Sequence, residues 1–176
     1  MYNFSEILSQ PIGKQIIAQL ISEIETQPSD FQVLFNLIFK DKSKQEITVA
    51  WHAAWVIDHI SRKHFDWFDD KMKTELVNFS QNVTKDGHLR LCLSILLNAG
   101  LPAEISGDFV NFCFQNIINE KTAVSVKALS IKLLAEICKT EPDLQNELKI
   151  ILQNIDFQST ASGVKAAVKN VLSKLL

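Results

Sequence analysis

Residues 122–155 read TAVSVKALSIKLLAEICKTEPDLQNELKIILQNI: a run with helical periodicity, a break at Glu141-Pro142, and a second such run. The first run places Val126, Ser130, Leu133, Leu134 and Ile137 at i, i+4, i+7, i+8 and i+11, one stripe of an amphipathic helix. The stripe returns three times. It recurs as Val164, Val168, Val171, Leu172 and Leu175, as Leu89, Leu93, Leu96, Leu97 and Gly100, and as Val49, Ala53, Val56, Ile57 and Ile60. The starts at 49, 89, 126 and 164 are therefore 40, 37 and 38 residues apart. A period near forty with two helices per unit is the signature of an α-solenoid, because one helix pair cannot bury its apolar face alone.

Working outward, Ser29 is positioned to cap a helix over 30–40, with Phe31, Leu34, Phe35 and Ile38 on one face. After the polar link DKSK, Ser43 and Glu46 form a capping box for a helix reaching about residue 63. Its partner is expected to start near Asp66 and run to about Gln81, where Asp66, Asp69 and Asp70 suit a helix's first turn. Gly100 closes the following helix, with Pro102 two residues on. Ser106 caps 108–119, and the last helix spans about 160–176. In front of the repeats, Pro11 opens a helix over 12–25, with Ile16, Leu20 and Ile24 on one face and Ile17 and Ile21 beside them; residues 1–10 form a short helical turn. Nine helices and no strands make the chain all-α.

The pattern V-[K/R]-x-x-small-x-x-[L/V]-L, plainest in VKALSIKLL and VKAAVKNVL, resembles the second helix of a HEAT repeat. That family commonly places Asp five residues before the Val, where this chain has Thr84, Lys121 and Ser159. The resemblance implies an armadillo-type α–α superhelix of about four helix pairs in one domain over 1–176. It divides into an N-terminal cap (1–27) and repeats at about 29–63, 66–100, 106–139 and 142–176.

Composition narrows function by exclusion. A chain of 176 residues can bury about 70% of its unfolded surface. Its hydrophobic content of 47% is that of an ordinary globular domain. A net charge of −2 and only two Arg, Arg62 and Arg90, supply little for a polyanion. Cys92, Cys113 and Cys138 lack metal-ligand spacing and fall in apolar helical contexts, as buried thiols of a reducing compartment do. MYNFSEILSQ has no signal-peptide pattern and no apolar run suits a membrane, so the expected place is the cytoplasm. Phosphate-loop, nucleophile-elbow and HExxH motifs are absent. His52 and His59 stand seven apart, two turns along a helix, too far for a helical metal chelate. No catalytic residue, metal ligand or cofactor site is expected, and the chain reads as a non-enzyme.

The candidate site comes from helix-wheel arithmetic. The face of each second helix that lies opposite its stripe holds Trp51, Trp55, Asp58 and Arg62, with His52 and His59 flanking; then Leu91, Ile95 and Asn98; then Ala128, Lys132 and Ala135; then Ala166, Asn170 and Ser173. Asp58 and Arg62, four apart, can pair. The HEAT resemblance implies that these faces line a concave wall. The candidate groove is thus Trp51, Trp55, Asp58, His59, Arg62, Leu91, Ile95 and Lys132, taking a peptide or protein partner. Its competing reading is an aromatic stripe buried as core. A second feature is a basic ladder of Arg90, Lys127 and Lys165 at one repeat position, able to follow a phosphate backbone or to pair between repeats. Trp51, Trp55, Asp58, Arg62 and Arg90 also resemble the concave-face residues of HEAT-like alkylpurine glycosylases, which implies nucleic acid as an alternative partner. One turn after Trp55, however, stands His59 rather than a carboxylate. The third alternative is a structural or regulatory subunit joined through the aromatic first half.

Overall fold

The computed structural model describes residues 3–40 and 43–175. The first half of the polar link, Asp41-Lys42, and the last residue of the final predicted helix, Leu176, lie outside them. Among the described residues every regular element is helical and no strand occurs. The chain packs as two compact units, one ending at Asp69 and the other beginning at Asp70.

The first unit holds α1 (Phe4–Leu8), α2 (Lys14–Thr26), α3 (Asp30–Asn36) with a 3₁₀ continuation (Leu37–Phe39), α4 (Lys44–Ser61) and a second 3₁₀ turn (Phe65–Trp67). Helix α4 begins where the capping box predicts. Ser43 is extended and its Oγ accepts the Glu46 backbone N–H at 3.2 Å, satisfying one donor that the first turn leaves open. The α4 stripe of Val49, Ala53, Val56, Ile57 and Ile60 is buried, and so are Ala50 and Ala54. Small side chains on several sides let α1, α2, α3 and both 3₁₀ turns pack against this one helix. The N-terminal helices thus cover α4, through Phe4 and Leu8 of α1 and Ile17, Leu20 and Ile24 of α2. Ser29 makes no capping bond, because it already has helical dihedrals within a turn closed by Asp30 N–H on the Gln27 carbonyl.

The helix expected from Asp66 starts later. An aromatic cluster explains the delay: Phe68 is buried, edge-on to Phe31 at 5.1 Å and to Phe35 at 6.1 Å, and Trp67 meets Phe31 edge-on at 5.3 Å. Holding both rings leaves Phe68 extended (φ −95°, ψ 104°), so the backbone cannot wind until Asp70. Of the three acids expected in a first turn only Asp70 is there, and its Oδ1 accepts the Ala103 N–H at 2.7 Å.

The second unit holds α5 (Asp70–Ser80), α6 (Asp86–Ala99), α7 (Gly107–Ile118), α8 (Val124–Ile137), α9 (Leu144–Gln153) and α10 (Ser162–Leu175). They pair as α5–α6, α7–α8 and α9–α10, and the second helices are neighbours, α6 on α8 and α8 on α10. The α8 stripe is buried at all five positions; in α10, Val164, Val168 and Val171 are buried while Leu172 and Leu175 are half-buried. The hydroxyl of Ser106 caps α7, accepting the Phe109 N–H at 3.3 Å. Gly100 ends α6 at φ 87°, ψ 160°, the single positive φ among the described residues.

Candidate binding site

Helix α4 has one face that its own unit does not cover. Trp51 is 42% exposed, Trp55 and His59 half-buried, and Arg62, the residue after the helix, exposed. One helical turn separates Trp51 from Trp55, and the Trp51 ring stacks on that of His52 (5.4 Å, 28°). His52 is itself buried, its Nδ1–H donating to the Leu8 carbonyl at 2.7 Å, which ties the end of α1 to α4 and sets the plane against which Trp51 rests.

Asp58 is not on this surface. The wheel places it on the outer face, yet it is only 2% exposed, its Oδ2 accepting from Arg62 Nη2 at 2.7 Å. Pairing at i, i+4 is as predicted; the correction concerns burial. Arg62 lies across the carboxylate with its own side chain 56% exposed, so the guanidinium presents what the acid anchors.

Two further members of the predicted groove are core. Leu91 is 1% and Ile95 0% exposed. Helix α6 also buries Leu89, Cys92, Leu93 and Leu96, so it has no single polar face opposite one stripe, and apolar residues all round a helix mean burial all round. Lys132, in the second unit, is exposed as expected. The basic ladder is half-buried at Arg90, Lys127 and Lys165. Lys165 adds to the hydrogen bonds from Gln158 N–H and Ser159 that hold the Asp156 carboxyl below its usual range.

A second polar cluster was not singled out in the sequence. His64 Nε2 meets Glu25 Oε1 at 2.9 Å, Lys63 Nζ stands 3.8 Å from the same oxygen, and the His64 ring stacks on Trp67 (4.2 Å, 21°). It pins the end of α2 beside the 3₁₀ turn, where Phe65 is 60% exposed. Its one sequence signal is the pair His64 and Trp67 just beyond the end of α4; Glu25 lies 39 residues away.

Chemically, the α4 face offers an indole surface, a second partly open indole and a fixed cation. Among the described residues, no three His, Cys, Asp or Glu side chains converge to hold a metal. None of the described helices is long and apolar enough to cross a membrane.

The profile of the HEAT repeat domain matches residues 4–175, nearly the whole chain. The chain belongs to the HEAT repeat family. The stacked pairs of the second unit and the α3–α4 pair of the first are the two-helix units that define such repeats. No curated protein and no solved structure matches the chain. HEAT repeats generally serve as protein-interaction scaffolds and are typically non-enzymatic.

Proposed function

We propose that this HEAT domain is a non-catalytic interaction module that binds a peptide or protein segment on the face of α4 carrying Trp51, Trp55, His59 and Arg62. HEAT solenoids commonly line their concave side with the second helices of their pairs, the place α4 would take as the second helix of its own. The observation that carries the reading is Trp51, left 42% exposed on a helix whose other apolar side chains are covered or half-covered. Covering the remaining indole surface would contribute on the order of 2 kcal/mol. Arg62, already held by Asp58, would add a preorganised donor, and Trp and Arg are the residues most often found as binding anchors. The free, buried thiols support a reducing, cytoplasmic setting.

The nucleic-acid reading finds no support in this face, since its acidic member is buried beneath the arginine. Self-association through the same indoles is a second use of one surface, and a single design separates the two. Acrylamide quenching of the tryptophans is followed across protein concentration, and capture from a native extract is compared for wild type, Trp51→Ala and Arg62→Glu. A retained protein lost with both variants, with quenching independent of concentration, supports the reading. Quenching that falls as concentration rises assigns the face to a second copy of the chain. Equal capture by all three overturns the site.

A further inference from the structure

The second unit contains a cavity of about 290 Å³ beside the C-terminal halves of α8 and α10. Leu97, Ala135, Val171 and Leu175 supply an apolar floor, and Lys132, Lys139 and Lys174 stand around it. We propose that this cavity binds a short acidic–aliphatic segment of a partner protein, its aliphatic side chain on the floor and a carboxylate between Lys132 and Lys174. The inference stands apart from the α4 face and does not rest on it.

Charge decides the class of occupant. Glu136 is the single acid in the lining, and it is already hydrogen-bonded to Lys139. Lys132 and Lys174 have no ion-pair partner among the described residues, so two ammonium groups flank an apolar floor in a chain of net charge −2. Helix C-termini oppose an anion through their open carbonyls. Here that opposition is reduced. At the end of α8, the Ile137 carbonyl accepts Thr140 Oγ–H at 3.0 Å and Glu141 N–H at 2.9 Å, and the carbonyl of the next residue, Cys138, accepts Gln145 Nε2–H at 3.1 Å. With those α8 carbonyls satisfied, three lysines stand against the one acid, Glu136, around the floor. Lysine ammonium groups on flexible stems suit a carboxylate approached from several directions. The lining has neither arginine for bidentate phosphate contacts nor an aromatic ring for base stacking, which disfavours a nucleic acid. The volume suits one or two residues of a peptide.

The full chain is titrated with a labelled Glu-Leu-Glu-Leu-Glu peptide, its Gln-Leu-Gln-Leu-Gln and Glu-Ser-Glu-Ser-Glu analogues, and inorganic phosphate, read by anisotropy (phosphate by competition) and by amide NMR shifts. The acidic leucine peptide is expected to saturate, to shift the amides of Leu97, Ala135 and Val171, and to bind more weakly as salt is raised. Replacing both exposed ammonium groups (Lys132→Gln with Lys174→Gln) should weaken it roughly tenfold. Lys85→Gln with Lys121→Gln, two exposed lysines outside the lining, should leave it unchanged, which separates the site from a general attraction to lysine. Equal binding of the Gln peptide removes the carboxylate from the proposal, and equal binding of the Ser peptide removes the floor. Competition by phosphate at concentrations near those of the peptide makes the site one for any anion. No saturation, or a double variant with wild-type affinity, overturns the proposal outright.

Discussion

Arg62 Nη2 sits 2.7 Å from Asp58 Oδ2, one helical turn apart, with the acid buried and the base more than half exposed. The geometry makes the pair asymmetric. Removing the guanidinium takes one partner from a buried carboxylate, whereas removing the carboxylate leaves an arginine that water can solvate. Arg62→Ala is therefore expected to destabilise the protein by about 1–2 kcal/mol. A double variant with Asp58→Asn should recover part of that loss. Urea unfolding of both single variants and the double variant measures the coupling, and strict additivity would show that the pair contributes nothing.

Gly100 makes a different kind of demand. At φ 87°, ψ 160° it occupies a region that side chains avoid, and it lies well outside the left-handed helical region that Asn tolerates. A Cβ there would meet only Lys73 Nζ at 3.8 Å, an ordinary contact, so the penalty is in the backbone. Gly100→Ala and Gly100→Asn should each cost about 1–3 kcal/mol in denaturant unfolding. A markedly milder asparagine would mean that the turn relaxes into the left-handed helical region.

The carboxyl of Glu25 is held below its ordinary value of 4.5, first by the hydrogen bond from His64 and further by Lys63. A depressed folded-state value stabilises the fold above the unfolded pKa, and the contribution is lost as pH falls through the folded one. The loss therefore belongs to the acid range below about pH 4.5. Carbon-detected NMR of the Glu25 carboxyl should show a midpoint below 4.5 in wild type that rises in His64→Ala. An unchanged midpoint would remove the histidine as its cause.

Burial pushes the Cys92 and Cys113 thiols up to about 12. Both should therefore stay unreactive to a thiolate-selective reagent at pH 8 while the protein is folded, and react once it is unfolded in urea. Prompt labelling of either in the native state would show that its helix opens.

What was legible in the sequence was whatever a helix decides within a turn or two of itself. The four stripes, the Ser43–Glu46 cap and the Asp58–Arg62 spacing all rest on i, i+3 or i, i+4 geometry. Burial of Leu91 and Ile95 was not legible from one wheel, because it depends on how many neighbours surround α6; its run of leucines was the overlooked signal. The late start of α5 depends on Phe31 and Phe35 capturing Phe68 from more than thirty residues away. His52 meets Leu8 across 44 residues and His64 meets Glu25 across 39, and neither contact leaves a periodic trace. Trp51 and Trp55 illustrate the boundary: their common face is arithmetic, but their different exposure is set by what else packs nearby.

Helix α8 touches α6, α7, α9 and α10 within its unit. Long repeat arrays can gain or lose a module at modest cost, since each module leans only on its neighbours. This unit has three pairs and so a single internal module, with α8 at its centre. Excising the α7–α8 pair would take from α6, and from the α9–α10 pair, the helix α8 that each packs against, so the six helices are expected to melt in one cooperative step. A duplication or deletion is consequently expected to be tolerated at an outer pair and to unfold the unit at the middle one.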